Sequence, residues 1–356
     1  MDFLIAKDDL HRWRMQDSPT PELADGEALL RVDRFGLSAN NITYAMFGEG
    51  MSYWSFFPAE EGWGRMPVWG FAEVVQSELE QLQPGTRVYG YLPPSSELVV
   101  RPARVDERGF TDASPHRASL PAAYNGYVRT DADPIYEPGT EDLQMLLRPL
   151  FFTSYLIDDF LDDASLFGAR TAVLSSASSK TANGLAFLLS RREGVEVVGL
   201  TSARSADFTT SLGVYDKVVT YEEIGSLADT PAVYVDMAGD AQVRSDVHHH
   251  YGDALTHSAV VGATHHDRMG AVPDSLPGPP PTFFFAPDRV AKRSTEWGRD
   301  GLEARIAEAW APYVEWCAGW LEVQRGEGAD TLQQAYLDLL DGRIDPAKAD
   351  VLSLPR

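Results

Sequence analysis

The sequence predicts a two-domain α/β protein in which a β-rich, partly open barrel precedes a doubly wound parallel sheet. Three observations carry this prediction. Short β-like runs split by Pro and Gly fill residues 1–110, a strand–turn–helix–strand unit occupies residues 169–202, and strands alternate with helices after it. Such alternation is typical of a parallel sheet covered by helices on both faces.

The barrel strands are predicted from short apolar or alternating runs bounded by turn residues. These runs are residues 27–32, 68–75, 86–91 and 97–101. One helix or two then follow at residues 143–161, and the last helix and strand, residues 331–340 and 349–354, are expected to return to the barrel. The predicted domains are residues 1–145 completed by 328–356, and residues 146–327.

The unit at residues 169–202 is the centre of the second domain. Apolar Thr171–Leu174 predicts a strand, small residues follow, residues 185–189 have the helical period, and residues 195–200 predict a second strand. This is one βαβ crossover. Its turn lies where a helix N-terminus points unpaired N–H groups outward, which suits a phosphate.

The alternation of elements continues to the end of the predicted sheet. Helices are expected at residues 203–212, 241–251 and 301–323, and strands at 217–220, 232–236, 256–262 and 282–286, with a Pro/Gly-rich linker at 271–281.

Composition excludes several classes of function. The net charge is −23, so the surface repels nucleic acid. The longest apolar run, residues 146–155, is interrupted by Arg148 and too short for a bilayer, and the first ten residues resemble no signal peptide. A cytoplasmic protein without nucleic-acid or membrane partners is expected.

A metal site is not predicted. The single cysteine, Cys317, excludes disulfide frameworks and Cys-rich zinc sites, and it is expected to be a buried, inert thiol. The consecutive His248, His249 and His250 point about 100° apart on a helix, which favours a solvated helix end over a shared metal.

Six segments in order resemble the medium-chain dehydrogenase/reductase superfamily, in particular its zinc-independent, quinone-oxidoreductase-like members. They are GEALLRV with FGLSANN (26–41), PVWGFAEVV (67–75), LQPGTRV (82–88), FTSY (152–155), LGVYDKVV (212–219) and VDMAG (235–239). The second segment lacks one glycine of the family pattern, which indicates a divergent branch. The resemblance implies a GroES-like barrel and a Rossmann-type sheet.

The resemblance also implies a dinucleotide site at the turn. Ser176, Ser179 and Ala182 stand where the family carries three glycines, so the close approach of backbone to diphosphate is largely kept. Three neighbours add hydrogen-bond donors: Ser178, Lys180 and Thr181. The alternative is a turn retained for helix–strand packing alone.

The end of the second strand favours NADP(H) over NAD(H). No carboxylate follows Leu200, whereas Thr201, Ser202 and Arg204, with help from Lys217, supply the hydroxyl and guanidinium donors that a 2′-phosphate requires. An ordinary helix N-cap explains Thr201 and Ser202 equally well.

By the same resemblance, four further residues should lie near the cofactor. Thr153 and Tyr155 match a family "TAY" motif, Gly262 ends a strand near the nicotinamide, and His265 is a candidate for substrate contact. A loop histidine is the alternative for His265.

The candidate catalytic residues are tyrosines. The first-loop positions Asn41 and Tyr44 match those that face substrate in zinc-free relatives, and a Tyr hydroxyl can donate to a developing oxyanion. Tyr53 and Trp54 are expected to wall an apolar pocket. Ordinary packing is the alternative for these aromatic residues.

The connection at residues 114–136 is long enough to be a lid or binding loop. Tyr124 and Tyr127 are therefore further acid–base candidates, and Asn125 a substrate contact. A packed surface loop is the alternative.

The resemblance implies an NADP(H)-dependent, zinc-independent oxidoreductase that transfers hydride to or from an activated carbonyl or enone-type small molecule, whereas the residues alone indicate only the anion site of the βαβ unit and the absence of Cys-based metal ligation. The resemblance implies a homodimer that pairs through residues 284–287. Two alternatives stay open: a lyase or isomerase in which the loop tyrosines act without net redox change, and a non-catalytic protein with a degenerate nucleotide site.

Overall fold

A computed structural model describes residues 1–261 and 276–355. The chain divides into two compact units. The barrel unit comprises Met1–Leu146 with Leu321–Arg356, and the sheet unit comprises Leu147–Trp320. The sequence placed these divisions at 145/146 and 327/328.

The elements are numbered in chain order. The strands are β1 (Asp2–Ala6), β2 (Asp9–Gln16), β3 (Ala28–Leu37), β4 (Trp63–Gly64), β5 (Val68–Ser77), β6 (Arg87–Leu92), β7 (Glu97–Val100), β8 (Pro102–Asp106), β9 (Gly109–Asp112), β10 (Gly126–Arg129), β11 (Thr171–Leu174), β12 (Glu196–Thr201), β13 (Lys217–Thr220), β14 (Ala232–Asp236), β15 (Leu255–Val260), β16 (Thr282–Phe283), β17 (Glu322–Glu327) and β18 (Lys348–Ser353). The helices are α1 (Ala39–Met46), α2 (Glu141–Asp163), α3 (Lys180–Leu189), α4 (Ala206–Ser211), α5 (Ala241–Tyr251), α6 (Ala286–Ala318) and α7 (Ala329–Leu340).

The barrel unit is built mainly from antiparallel strands, with one parallel pair, β17 and β18. Its larger sheet follows the order β17-β18-β3-β5-β6-β10-β9-β8, with β7 paired to β3, and β1 joins β2 and β4 in a smaller sheet. Apolar residues on the inner faces, among them Phe3, Leu30 and Val68, form its core with Tyr336 of α7. As expected, the tail returns here, because β18 pairs antiparallel with β3.

The sheet unit is a six-stranded parallel sheet in the order β13-β12-β11-β14-β15-β16. Strands β11 and β14 are buried along their whole length, as expected when helices cover both faces of a sheet. The strand order reverses direction between β11 and β14. The predicted α/β fold class, with one antiparallel and one parallel sheet, is confirmed.

Two predicted elements differ from the structure in this unit. The strand expected at residues 282–286 is only two residues long, because α6 already begins at Ala286 with Pro287 in its first turn. Helix α6 starts fifteen residues before the predicted 301 and bends at Gly298, where φ is +74°. The predicted linker lies partly outside the described residues.

The connection at residues 114–136 is not an open loop. It contains β10, which pairs with β6 and β9 inside the larger sheet. Of the described helices, none is both long and apolar enough to cross a bilayer.

Candidate nucleotide-binding turn and tyrosine cluster

The turn after β11, residues 175–179, leads directly into α3 and is called the serine turn below. Ser179 caps the helix: its hydroxyl accepts a hydrogen bond from the Ala182 amide at 3.3 Å. The Ser179 amide donates to the Ser176 carbonyl at 2.8 Å. Ser176 has a φ of +51°, a left-handed conformation that costs a non-glycine residue roughly 1 kcal/mol.

Residues on β12 and on either side of β13 are hydrogen-bonded to this turn. The Ala177 amide donates to the Leu200 carbonyl of β12 at 3.0 Å, and the Tyr215 hydroxyl donates to the Ala177 carbonyl at 2.8 Å. The Tyr221 hydroxyl accepts a hydrogen bond from the Ser176 amide at 3.1 Å. Burial raises the pKa of Tyr221 to about 12, so this hydroxyl stays neutral at physiological pH. The sequence analysis missed both tyrosines, because neither is adjacent to the turn along the chain.

The serine turn fits a diphosphate in its chemistry. Ser178 and Thr181 are half-buried hydroxyl residues at the positive end of the α3 dipole, and Ala177 keeps the turn narrow. Small side chains and outward first-turn amides are what an anion needs here.

The end of β12 lies beside the serine turn, since β12 pairs with β11 in parallel. Thr201 is buried, Ser202 is half-buried with its hydroxyl 3.4 Å from that of Ser205, and Arg204 is exposed. Lys217 lies elsewhere. It begins β13 opposite Val198, whereas Thr201 pairs with Thr220, and its ammonium group donates to the Ser226 carbonyl at 3.2 Å.

The "TAY"-like segment of α2 approaches α3 through a residue that the sequence analysis did not choose. The Ser154 hydroxyl donates to the Thr181 carbonyl at 2.7 Å, and a Cβ on Gly184 would lie 2.8 Å from the Ser154 oxygen. The Thr153 hydroxyl instead donates within α2, to the Pro149 carbonyl. Glycine at position 184 thus lets α2 and α3 meet closely.

The structure places Tyr155 away from the first turn of α3. It lines a cavity of about 370 Å³ together with Phe187 and Leu188 of the last turn. Successive side chains on a helix point about 100° apart. Ser154 therefore contacts the first turn of α3, whereas Tyr155 lies near its last turn. Gly262 and His265, the remaining candidates near the cofactor, lie outside the described residues.

Buried hydrogen bonds of Ser175 and Asp236 connect the carboxyl ends of the paired strands β11 and β14. The Ser175 hydroxyl donates to Asp236 Oδ1 at 3.0 Å and accepts hydrogen bonds from the Met237 and Ala238 amides at 3.0 and 3.1 Å. Arg244 Nε donates to Asp236 Oδ2 at 2.8 Å. The position of Asp236 at the end of a predicted strand was visible in the sequence, but its partners were not.

In the barrel unit, four tyrosines from separate segments meet in what is called the tyrosine cluster: Tyr44, Tyr53, Tyr91 and Tyr124. Ring centroids are 4.7 Å apart for Tyr44 and Tyr53 and for Tyr91 and Tyr124, and 5.4 Å apart for Tyr44 and Tyr91. Three of the four were candidates from the sequence; Tyr91, on β6, was not.

The hydroxyl groups of this cluster lie in an apolar environment. The Trp69 indole N–H donates to the Tyr44 hydroxyl at 3.3 Å, and burial raises the pKa of Tyr44 to about 12. Burial also raises the pKa of Tyr91, whose hydroxyl has no hydrogen-bond partner within the described part of the chain. Hydroxyls that stay neutral here can donate to a carbonyl oxygen.

Asn41, a predicted catalytic residue, is hydrogen-bonded at the start of α1. Its side-chain oxygen accepts hydrogen bonds from the Ser38 amide and hydroxyl at 2.8 and 3.2 Å, at the start of α1. Its side-chain nitrogen donates to the Pro67 carbonyl at 3.0 Å. The amide is buried, and both its oxygen and its nitrogen have protein partners.

Tyr127, Asn125 and Trp54 also lie in the packed interior. The Tyr127 ring stacks on Phe110, its hydroxyl donates to the Tyr91 carbonyl at 2.8 Å, and a Cβ on Gly90 would lie 2.5 Å from the ring. Asn125 is buried beside it, and Trp54 belongs to the main core of the barrel unit. Tyr127 thus lies on β10, between β6 and β9, and not on an open loop.

Among residues 1–261 and 276–355, no three His, Cys, Asp or Glu side chains are grouped so as to hold a metal. Cys317 is buried, and burial raises the pKa of its thiol to about 12, which makes it unreactive. His248 differs from the predicted solvated helix end: it is buried and hydrogen-bonded to the Pro277 carbonyl at 2.8 Å and the Ser258 hydroxyl at 3.0 Å.

Several solved structures share this fold. CurA from Vibrio vulnificus is 16% identical with a TM-score of 0.57, covering 97% of this chain and 94% of its own, and has also been solved in complex with NADPH. The yhdH oxidoreductase from Salmonella enterica, solved in complex with NADP, is 16% identical with a TM-score of 0.54 and full coverage of both chains. No curated protein matches the chain.

At these identities the likeness establishes the fold, and it confirms the structural resemblance to medium-chain dehydrogenase/reductases. The sequence itself matches one family model over residues 35–345, most of its length. The chain therefore belongs to the family described as "Protein of unknown function (DUF2855)", whose member here has the two-unit fold of the medium-chain dehydrogenase/reductases.

Proposed function

We propose that the protein is an NADP(H)-dependent, zinc-independent oxidoreductase that acts on an activated carbonyl or enone-type small molecule. The observation that carries the proposal is the serine turn, a narrow bend at the N-terminus of α3 beside the point where the strand order reverses. In open α/β sheets, ligands bind outside the carboxyl ends of the strands at that reversal. The complexes of CurA with NADPH and of yhdH with NADP support the same choice.

In this proposal the sheet unit holds the cofactor. The amides of Ser178 and Thr181 and the hydroxyls of Ser178, Ser179 and Thr181 bind the diphosphate, and Ser202 with Arg204 binds the 2′-phosphate. Bound NADPH supplies the hydride. Tyr44 donates a hydrogen bond to the substrate oxygen as negative charge develops on it, and its buried surroundings strengthen that bond.

The test measures cofactor preference. Thermal unfolding of the wild type with NADPH, NADH or no nucleotide is expected to show stabilisation at micromolar concentrations of NADPH. Arg204→Ala should weaken NADPH binding by roughly tenfold to a hundredfold and leave NADH unaffected, because it removes a charge-assisted hydrogen bond to the 2′-phosphate alone.

Arg299→Ala is the matched control, since Arg299 is also an exposed arginine of the sheet unit, on α6. It should leave both affinities unchanged. A wild type that no nucleotide stabilises would refute the proposed function, and an Arg204→Ala protein with unchanged NADPH affinity would refute the 2′-phosphate assignment.

We also propose a homodimer that forms at β16. This strand ends the described path of the sheet, and Phe283 and Phe285 beside it are 68% and 51% exposed. Exposed aromatic rings at a sheet edge favour association with a second copy. Sedimentation should give twice the chain mass of 39.2 kDa, and Phe283→Ser combined with Phe285→Ser should give the monomer; a monomeric wild type would refute the dimer.

A further inference from the structure

The buried group at Ser175 holds together the two strand ends between which the sheet reverses its order. Its hydroxyl uses its one proton toward Asp236 Oδ1 and accepts from two successive amides, those of Met237 and Ala238. One donor and two acceptor positions exhaust what a serine hydroxyl offers. Ser175 is therefore fully engaged with protein groups and is not available to touch a ligand.

Asp236 links Ser175 to helix α5 through further hydrogen bonds. Its Oδ1 also accepts from the Gly239 amide at 2.9 Å, and its Oδ2 accepts from Arg244 Nε at 2.8 Å. Its backbone carbonyl accepts from the Val261 amide of the next strand at 2.9 Å. Because Asp236 and Ser175 are inaccessible to solvent, water cannot replace these bonds if one is removed.

The hydrogen bonds of Ser175 also constrain the serine turn, because Ser175 is its first residue. Ser175 immediately precedes Ser176, whose left-handed conformation directs the turn into α3, and the amides of Ser178 and Thr181 are the diphosphate donors of the proposed function. A strained residue keeps its conformation only where surrounding contacts determine it. The Ser175 hydroxyl supplies such contacts on the side of β14. The Leu200 carbonyl and the Tyr221 hydroxyl supply them on the side of β12 and β13.

We infer that Ser175, with Asp236 and Arg244, is a positioning group for the dinucleotide diphosphate, acting by fixing the serine turn and the 237–239 loop on either side of the strand reversal. The inference rests on the proposed function. None of the three residues is a ligand contact; each acts through the backbone it holds.

The experiment compares two buried serines of the same sheet. Ser175→Ala removes the hydroxyl beneath the turn, and Ser258→Ala removes one from β15 that is bonded to His248 and is equally inaccessible. Two ligands are titrated into each protein: NADPH, which contains the diphosphate, and adenosine 2′-monophosphate, which has the 2′-phosphate but no diphosphate.

Ser175→Ala is expected to raise the Kd of NADPH roughly tenfold, while the Kd of adenosine 2′-monophosphate stays within about twofold of wild type. Ser258→Ala should change neither. Arg244→Lys, which keeps the charge but loses the guanidinium geometry, should shift the NADPH Kd in the same direction by less. Thermal unfolding of each variant verifies that the fold is retained.

An NADPH Kd unchanged in Ser175→Ala, or equal weakening of both ligands, would overturn the positioning role. A wild type that binds neither ligand would overturn the proposed function instead, and the inference with it. The two failures are distinguishable, because the positioning role is tested in Ser175→Ala and the proposed function in the wild type. If Ser175→Ala still binds adenosine 2′-monophosphate but binds NADPH more weakly, both proposals are supported.

Discussion

The serine turn and the tyrosine cluster use polar groups in opposite ways. In the serine turn, hydroxyls and amides are hydrogen-bonded to Leu200 of β12, Asp236 of β14 and Tyr221, which follows β13. In the tyrosine cluster, neighbouring rings pack against one another at 4.7–5.4 Å, and the Tyr44 and Tyr91 side chains are buried. The turn is organised by hydrogen bonds and the cluster by ring contacts.

This difference in organisation suits the serine turn to binding and the tyrosine cluster to chemistry. A turn whose backbone is held before the ligand arrives loses little entropy on binding, so it is suited to hold an invariant group such as a diphosphate. A neutral hydroxyl in a low-dielectric environment interacts more strongly with developing charge than it would in water. Tyr91, buried and without a described partner, shows how poorly solvated the cluster is.

The sharpest test of the cluster is Tyr44→Phe. If its hydroxyl donates to the substrate oxygen, kcat for NADPH-dependent reduction of enones and quinones should fall about 10²- to 10⁴-fold, with little change in the Kd of NADPH. The free energy of unfolding should change by less than about 1.5 kcal/mol, the contribution of one typical hydrogen bond.

Tyr127→Phe is the matched variant. Its hydroxyl serves the Tyr91 carbonyl in the interior, so its loss should lower the free energy of unfolding by about 1–3 kcal/mol and leave kcat nearly unchanged. Equal losses of kcat in both variants would mean that the cluster is only a packed core.

For the turn, Ser179→Asp separates folding from binding. Aspartate caps a helix as well as serine does, so stability should be retained, but its carboxylate would repel the diphosphate. The NADPH Kd should rise about 100-fold or more, a loss of roughly 2.7 kcal/mol.

Ser179→Ala should behave in the opposite way. The lost cap lowers the free energy of unfolding by about 1 kcal/mol, while NADPH affinity falls less than in Ser179→Asp because no charge is added. If calorimetric titration showed Ser179→Asp binding NADPH like wild type, the anion would have to bind elsewhere.

Most strands of the sheet unit were predictable because each is a short run with its own turn signals. Thr171–Leu174, Lys217–Thr220 and Ala232–Asp236 occur with the predicted bounds. The edge strand was predicted too long, since TFFFA has strand propensity but α6 begins at Ala286, with Pro287 in its first turn. Propensity describes a segment, and the neighbouring helix decided where this one ended.

The candidate site was predictable in part for the same reason. Ser179 as a helix cap follows from local sequence, whereas Asn41 and Tyr127 were assigned to substrate because their engagement with Ser38, Pro67 and the Tyr91 carbonyl involves contacts that no local pattern encodes. Residue type suggested chemistry, and packing assigned those two side chains to structure.

What the sequence by itself determined was the alternation of strands and helices in the sheet unit and the place of the small-residue turn, since period, apolar runs and turn residues act over a few positions. Only the tertiary structure decided that Asp236 and Tyr221 would hold that turn, and that Tyr44, Tyr53, Tyr91 and Tyr124 would meet. These groups are brought together by burial and by sheet register, which depend on the whole chain folding at once.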